Sequence, residues 1–394
     1  MKNSTLTLLF IYLSSLGCAS EETSNNDENS NNSANKTTLK MVDSNATIET
    51  KALYSQLWNI QTKGTMFGHH DDLLYGTNWM AQAGGSDIKD VCGDFPAVFS
   101  VDFAEIMDDR SSNSPLNSDR ERVIKEARER GEVIIANCHL NNPLTGGDSW
   151  DNSNNTVAQQ ILIDGSPVNI KFKSWLDKLA FFMQNLKDNE GKLIPVIFRP
   201  FHEHTQSWSW WGSSATTQTE FINLWKYTLN YLNNEKSVHN LIFAISPQLD
   251  QLGSKESLLY RWPGDDYVDF IGMDSYHGTN TSAFSSNLRT LGLLSKEKHK
   301  PCGVTETGLE TIMVNGVAYD NYWTNEISIP LTGKNVSMVV MWRNKFELGG
   351  THYYAPFKGH SSSSNFKLLF DTPHMLFSKD LPDMYTMAEN ITVE

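Results

Sequence analysis

Cysteine is scarce: the 394 residues contain four, at Cys18, Cys92, Cys138 and Cys302. No two of them stand in a Cys-x-x-Cys spacing, which argues against a zinc or iron–sulfur framework. The last three, the ones in the body of the chain, read as buried small apolar residues forming at most one disulfide. Basic residues are outnumbered, 32 against 46 acidic, for a formal net charge of −14. That deficit excludes the broad cationic surface needed to hold nucleic acid or an anionic bilayer. No uninterrupted apolar run is long enough to span a membrane as a helix. Gly-x-Gly-x-x-Gly and phosphate-loop motifs are missing, which weakens any nucleotide-binding open sheet. Ser361–Ser364 lacks the Gly-x-Ser-x-Gly frame of a nucleophile elbow and reads as a flexible loop. What the chain does have in excess is tryptophan, 11 residues, three of them at Trp208, Trp210 and Trp211.

The N-terminus carries an address. Lys2 precedes an apolar stretch, Leu6 to Leu16, of the length of a signal-peptide core. Ser15-Leu16-Gly17-Cys18 resembles the lipobox of bacterial lipoproteins, with Ser15 where that pattern usually carries an aliphatic residue. The resemblance implies cleavage after residue 17 and lipidation of Cys18. Residues 18–46 are dominated by Asn, Ser, Thr, Glu and Asp and read as a flexible tether. The expected product is secreted across the inner membrane and held by its lipid at the outer membrane, on the periplasmic face or the cell surface. Residues 47–394 are left for one catalytic domain, expected as a monomer.

Within that body, eight β-rich runs alternate with helical stretches. They are Thr65–Asp71, Ala97–Ala104, Val133–Leu140, Leu193–Glu203, Leu241–Gln248, Phe270–His277, Pro301–Thr307 and Ser337–Asn344. Several are continuous apolar runs ending in polar residues, the pattern of strands buried on both faces in a parallel sheet. Ser118-Asp119-Arg120-Glu121 and Thr217-Gln218-Thr219-Glu220 read as capping boxes opening helices, and Phe172–Leu186 as a third helix. Eight strands with helical crossovers predict an α/β fold, a single (β/α)8 TIM barrel.

In such a barrel the chemistry sits where strands end. Glu203 closes the fourth run and Glu306 the seventh, so their side chains can face each other across the barrel. Two carboxylates at short range repel; one is driven to stay protonated as a general acid while the other stays ionised. That is the arrangement of glycoside hydrolysis, and a separation of about 5–5.5 Å implies retention of configuration. Tyr276 can hydrogen-bond the ionised partner, and Arg199 can help keep it charged. Trp208, five residues beyond Glu203, is placed to floor a sugar, because indole faces pack against sugar C–H groups. Trp210 and Trp211 point in different directions, so at least one packs inward. His69 and His70 diverge as neighbours and read as hydrogen-bonded within the first strand end rather than as metal ligands.

The stretches RPFHEHTQSWSWWG (199–212), MDSY (273–276), TETG (305–308) and MWR (341–343) together resemble glycoside hydrolase family 26, chiefly β-1,4-mannanases. The resemblance covers roughly residues 50–385 and implies the same barrel. It makes Glu203 the acid/base with His202 beside it, and Glu306 the nucleophile. It places His139, Trp208, Asp274, Tyr276, Trp342 and Arg343 around the cleaved bond. Trp150 follows a Gly-rich loop and either stacks on a distal sugar or anchors the loop. His204 and Gln206 depart from the family pattern, so the adjoining subsite is expected to differ in shape. The implied activity is retaining hydrolysis of β-1,4-mannosidic bonds in mannan, galactomannan or glucomannan, without metal or cofactor. Internal cleavage and mannobiose release both remain open. The alternatives are a xylanase or mixed-linkage glucanase built on the same machinery, and an inactive glycan-binding lipoprotein.

Overall fold

Val133-Ile134-Ile135-Ala136 offers no polar face to water, and in the computed structural model all four residues are buried, on a strand with neighbours on both sides. The structure describes residues 36–346 and 351–394. The signal segment, Cys18 and most of the tether therefore lie outside the described residues. The same logic holds for the other runs, which become β1 (Thr65–His70), β2 (Val98–Asp102), β3 (Val133–Asn137), β4 (Val196–Arg199), β5 (Leu241–Ile245), β6 (Phe270–Ser275), β7 (Cys302–Thr307) and β8 (Met338–Met341). Each pairs in parallel with the next, and β8 closes on β1 through Met338↔Met66 to Met341↔His69. The result is the closed (β/α)8 barrel.

Helices cover the outside. Among them are α1 (Ile48–Ile60), α2 (Asn117–Glu129), α3 (Pro167–Asn185), α4 (Gln218–Asn230) and α5 (Ser363–Phe370), with an 18-residue helix at Thr281–Lys298 between the last two. The capping box at Thr217 forms with both bonds in place, Thr217 and Glu220 each accepting from the other's backbone N–H. The one expected at Ser118 does not: α2 begins at Asn117 without a side-chain cap. Its entry is held instead by Asn117 Nδ2 donating to the Glu105 and Ser111 carbonyls and by Arg120 bonding Glu105. α3 starts earlier than Phe172 because Ser166 caps it and Pro167 supplies a first turn that needs no N–H. β4 is much shorter than the Leu193–Glu203 run, since Pro195 and Pro200 bracket it and neither can donate to a ladder. Ser361–Ser364 is not a flexible loop: Ser362 is buried, accepts the indole N–H of Trp323 at 2.9 Å and leads into α5.

The folded body also starts earlier than residue 47. Thr37–Leu39 pairs in parallel with Ile391–Val393 near the C-terminus. Leu39 and Met41 are buried with Leu53 and Leu57 of α1 against Met66, Val98, Ile135 and Ile242, forming a core at the barrel end away from the strand C-termini. The apolar residues sprinkled through 39–46 are what take this stretch out of the tether. Cys92, Cys138 and Cys302 are free thiols.

Candidate active site

Strand register brings the polar ends together. In the ladder Asp102 lies beside Asn137 and Asn137 beside Arg199, while Asp274 lies beside Glu306 across β6–β7. Glu306 is 2% exposed and richly bonded. Its Oε1 accepts from Asn137 Nδ2 at 3.0 Å and from Arg199 Nη2, and its Oε2 accepts from the Tyr276 hydroxyl at 3.0 Å. Arg199 is fully buried and also donates through Nη1 to both oxygens of Asp274 and to Ser246 Oγ, each at 2.9 Å. Thr305 adds a bond to Asp274 at 2.5 Å. Gly272 makes room for this: a Cβ there would lie 2.8 Å from Thr305 Oγ1 and 2.9 Å from Ser246 Cβ. Burial opposes the charge of Arg199, but the facing Asp274 and Glu306 carboxylates more than offset it and raise its pKa.

Glu203 stands opposite in a different environment. Oxygens of Glu203, Asp274 and Glu306 lie within 4.8 Å of one another. Such a spacing could also suit a metal ion, but the positive charge at this point is Arg199, bonded to two of the three. Glu203 has the left-handed backbone angle φ 50°, uncommon for a residue with a side chain, and its N–H is tied to the Ser246 carbonyl at 2.8 Å. Its carboxyl receives one side-chain bond among the described residues, from Trp208 Nε1 to Oε2 at 2.6 Å. Burial first, then the charges of Glu306 and Asp274, push the Glu203 pKa well above the ordinary carboxylate range.

Around this pair lies a cavity of about 430 Å³ walled by aromatic rings. His139 packs against both Trp150 (centroids 5.5 Å) and Trp208 (5.7 Å), which also lie 5.2 Å from each other, and Trp342 also faces it. Trp150 is 57% exposed and lines the cavity, so its ring belongs to the cleft as well as to its loop. His139 Nδ1 bonds Asp102 at 2.7 Å, and its Nε2 lies 3.3 Å from His202 Nε2. Although burial works against it, this bond and the charge of His139 hold Asp102 far below the usual carboxylate range. Burial, then His139 and Arg199, drive His202 well below the ordinary imidazole value, leaving it neutral.

The glycosyl hydrolase family 26 model matches residues 42–306. The chain belongs to glycosyl hydrolase family 26. A mannan endo-1,4-β-mannosidase of Bifidobacterium adolescentis is 29% identical to it over 375 residues, which is 89% of this chain and 37% of that protein. Mannan endo-1,4-β-mannosidase A and B of Caldalkalibacillus mannanilyticus is 25% identical over 292 residues, 71% of this chain and 53% of that protein. This chain thus spans about half or less of those relatives. Among solved structures, the family 26 β-mannanase of Bacteroides ovatus is 37% identical with a TM-score of 0.80, covering 87% of this chain and 98% of that one.

In this family 26 barrel His139, Trp150, His202, Glu203, Trp208, Tyr276, Glu306 and Trp342 line the cleft, and Arg199 and Asp274 lie in the network beneath it. Arg343 lies at one end, half-buried, beside a second cavity. Trp210 and Trp211 are both fully buried and brace the catalytic loop instead, donating to the Leu140 carbonyl at 3.0 Å and the His202 carbonyl at 2.8 Å. Of the two departures from the family pattern, Gln206 lines the catalytic cavity, whereas His204 is buried against Phe221 at 4.5 Å and never reaches it. His69 and His70 bond Asp72 and Ser100, each at 2.7 Å, but His70 also stacks on Trp342 at 4.4 Å and so supports the cleft wall. Asn137, Asp102, Gln248 and Tyr354 were not among the expected site residues. Asn137, Asp102 and Gln248 carried a usable signal, being polar residues at the ends of apolar runs; Tyr354 sits in a loop that carries none.

Proposed function

We propose that this family 26 chain is a retaining glycoside hydrolase cleaving β-1,4-mannosidic bonds in mannans. The observation that carries the reading is the unequal carboxyl pair. Glu306, fed by Asn137, Arg199 and Tyr276, is built to stay an anion. Glu203, with a single donor and two facing carboxylates, is built to keep its proton. Their spacing fits direct attack rather than activation of an intervening water.

In the first step a Glu306 oxygen bonds to the anomeric carbon as the glycosidic C–O bond breaks, and Glu203 gives its proton to the departing oxygen. The emptied Glu203 carboxylate then takes a proton from water, whose oxygen displaces Glu306 from the same carbon. Two inversions restore the original configuration. Asp274 and Ser246 fix the guanidinium of Arg199, which keeps Glu306 aimed. The aromatic walls of Trp150, Trp208 and Trp342 suit the C–H faces of a sugar chain. The mannan endo-1,4-β-mannosidase relatives and the Bacteroides ovatus β-mannanase support mannan as the polymer.

The test is a side-by-side assay on mannan, xylan and lichenan, with the first-formed anomer read by proton NMR. Mannan should be cleaved fastest and the β-anomer should appear first. Preference for another polymer would move the substrate, and an α-anomer appearing first would remove the nucleophile role from Glu306. The lipobox-like sequence at Cys18 supports lipid anchoring of the same chain. Incorporation of labelled palmitate that is lost in Cys18→Ala is the expected result.

A further inference from the structure

Arg289 and Lys296 stand two turns apart on the helix Thr281–Lys298, and both are exposed. Beside them runs the turn that leads into β8. Gly333, at φ 68°, follows the short helix Ile329–Leu331, and Lys334 and Asn335 come next. Gly292 lets this turn come close: a Cβ on it would sit 3.3 Å from the Asn335 carbonyl oxygen. Helix and turn enclose a cavity of about 300 Å³ whose lining holds Arg289, Lys296 and Lys334 but no acid. On a chain with 46 acidic residues for 32 basic ones, a base readily meets an acid. On this same helix Glu297 is held by Lys255 at 2.6 Å and Lys298 holds Asp265 at 2.7 Å. Arg289, Lys296 and Lys334 differ: among the described residues their side chains have neither an ion pair nor a hydrogen bond. Three like charges round one hollow repel each other, and a shared anion relieves that repulsion. A phosphate group, with its charge spread over several acceptor oxygens, suits three such donors.

Two further observations choose the source of the phosphate. Large aliphatic side chains flank the cations: Leu293, 65% exposed, lines the cavity, and Ile329, 63% exposed, opens the short helix before the turn. Cations beside exposed aliphatic chains fit the polar–apolar boundary of a bilayer better than a free ion in water. The second observation is position. The helix leads to the N-terminal end of β7 and the turn to that of β8, so the cavity opens toward the barrel end remote from the cleft. The chain leads back toward Cys18 from the same end: Thr37–Leu39 pairs with Ile391–Val393, and the Val42 N–H bonds Asp269, one residue before β6. A bilayer at this end leaves the cleft open to polymer. The net charge of −14 bars a broad cationic surface but not a local one, since exposed charges are screened beyond about 8 Å at physiological salt.

We propose that this cavity binds the phosphate headgroup of an anionic membrane lipid, with Arg289, Lys296 and Lys334 as donors and Leu293 and Ile329 at the acyl boundary. The proposal goes beyond the hydrolase reading and rests on the lipid-anchor reading only for the nearness of a bilayer.

The test is flotation of the full chain carrying Cys18→Ala with vesicles of phosphatidylcholine, alone or mixed with phosphatidylglycerol. The apolar leader is common to every form compared, so it cannot create a headgroup preference. The chain should partition more strongly onto the vesicles with phosphatidylglycerol, and added salt should weaken that preference. Adding Lys296→Glu and Lys334→Glu together should cut partition onto those vesicles by about 30-fold or more and leave partition onto phosphatidylcholine unchanged. The melting temperature and turnover on soluble mannan should hold, because both residues lie at the surface and away from the cleft. Lys296→Gln with Lys334→Gln should show part of the same loss and carries the test if the charge reversals do not fold. Leu293→Ser with Ile329→Ser should also weaken partition. Undiminished partition of the folded charge-reversed chain overturns the proposal. Tight calorimetric binding of inorganic phosphate without a headgroup preference also overturns it and would assign the cavity to a soluble phosphate. Palmitate labelling reports separately on the anchor: its absence strikes that reading, while a retained preference for phosphatidylglycerol still upholds this one.

Discussion

The floor of the cleft and its wall are built on opposite principles. On the floor, Glu306, Arg199, Asp274, Asn137, Tyr276 and Ser246 form a buried network in which every side-chain polar atom but Arg199 Nε and Asn137 Oδ1 has a partner. On the wall, Glu203 leans on one indole N–H, and its neighbours are rings. The two carboxyls are only a few ångströms apart, so distance does not distinguish them; their hydrogen-bond supply does. A densely bonded network holds a charge and a fixed geometry. An aromatic, sparsely bonded wall withholds solvation, favours the neutral acid and leaves a surface on which a sugar can lie.

The comparison is broken most severely by removing the floor's anion. Glu306→Ala should lower kcat on mannan by about 10⁴-fold or more, as deletions of reacting side chains commonly do. The fold should persist by circular dichroism, since Asp274 still neutralises Arg199. Near wild-type turnover would show that Glu306 is not the attacking group. Next in size is Arg199→Met, which leaves two buried carboxylates facing each other without their cation. Breaking a buried pair from one side costs roughly 3–5 kcal/mol, so a urea titration should show a loss of that order. Loss of activity without loss of stability would mean that Arg199 only positions Glu306 and does not hold the floor together.

This division was partly legible in the sequence. The barrel could be read because buried parallel strands have no polar face, and the two carboxylates because each ends such a strand. Trp208 could be read as part of the wall from its closeness to Glu203. Its bond to that carboxyl could not, because the direction of an indole N–H depends on a loop conformation that includes a left-handed Glu203. Trp210 and Trp211 look the same as Trp208 in sequence and turn out to be core. Asn137 could be read as a polar strand end, but its contact with Glu306 could not, because it spans 169 residues and exists only once the barrel has closed. The early start of the body, at Thr37, depends on a pairing with residues at the far end of the chain. No local pattern announces such a pairing.

A finer test of the wall is Trp208→Phe. The ring is kept and the N–H is lost. That N–H stabilises the ionised form of Glu203, so removing it should raise the Glu203 pKa further. Glu203 must be protonated to act as the acid, and activity is lost as pH rises through its pKa. The basic limb of the kcat/KM profile should therefore move to higher pH in the variant. A limb that stays put would assign it to another group, and a limb that moves down would reverse the role given to the indole.

The smallest effect belongs to Trp150, the most exposed ring of the wall. It stacks on His139 and lies 5.2 Å from Trp208, yet more than half of its surface is open to solvent. Trp150→Ala should leave stability within about 0.5 kcal/mol, because little packing is lost at an exposed site. Its cost should fall on substrate binding: an aromatic face contributes about 0.5–1.5 kcal/mol, or roughly a 2- to 10-fold rise in KM, with kcat nearly unchanged. A larger fall in kcat would mean that Trp150 also positions His139, and through it His202 beside the acid. The wall would then be a relay of ordered rings, closer in kind to the floor than its sparse hydrogen bonding suggests.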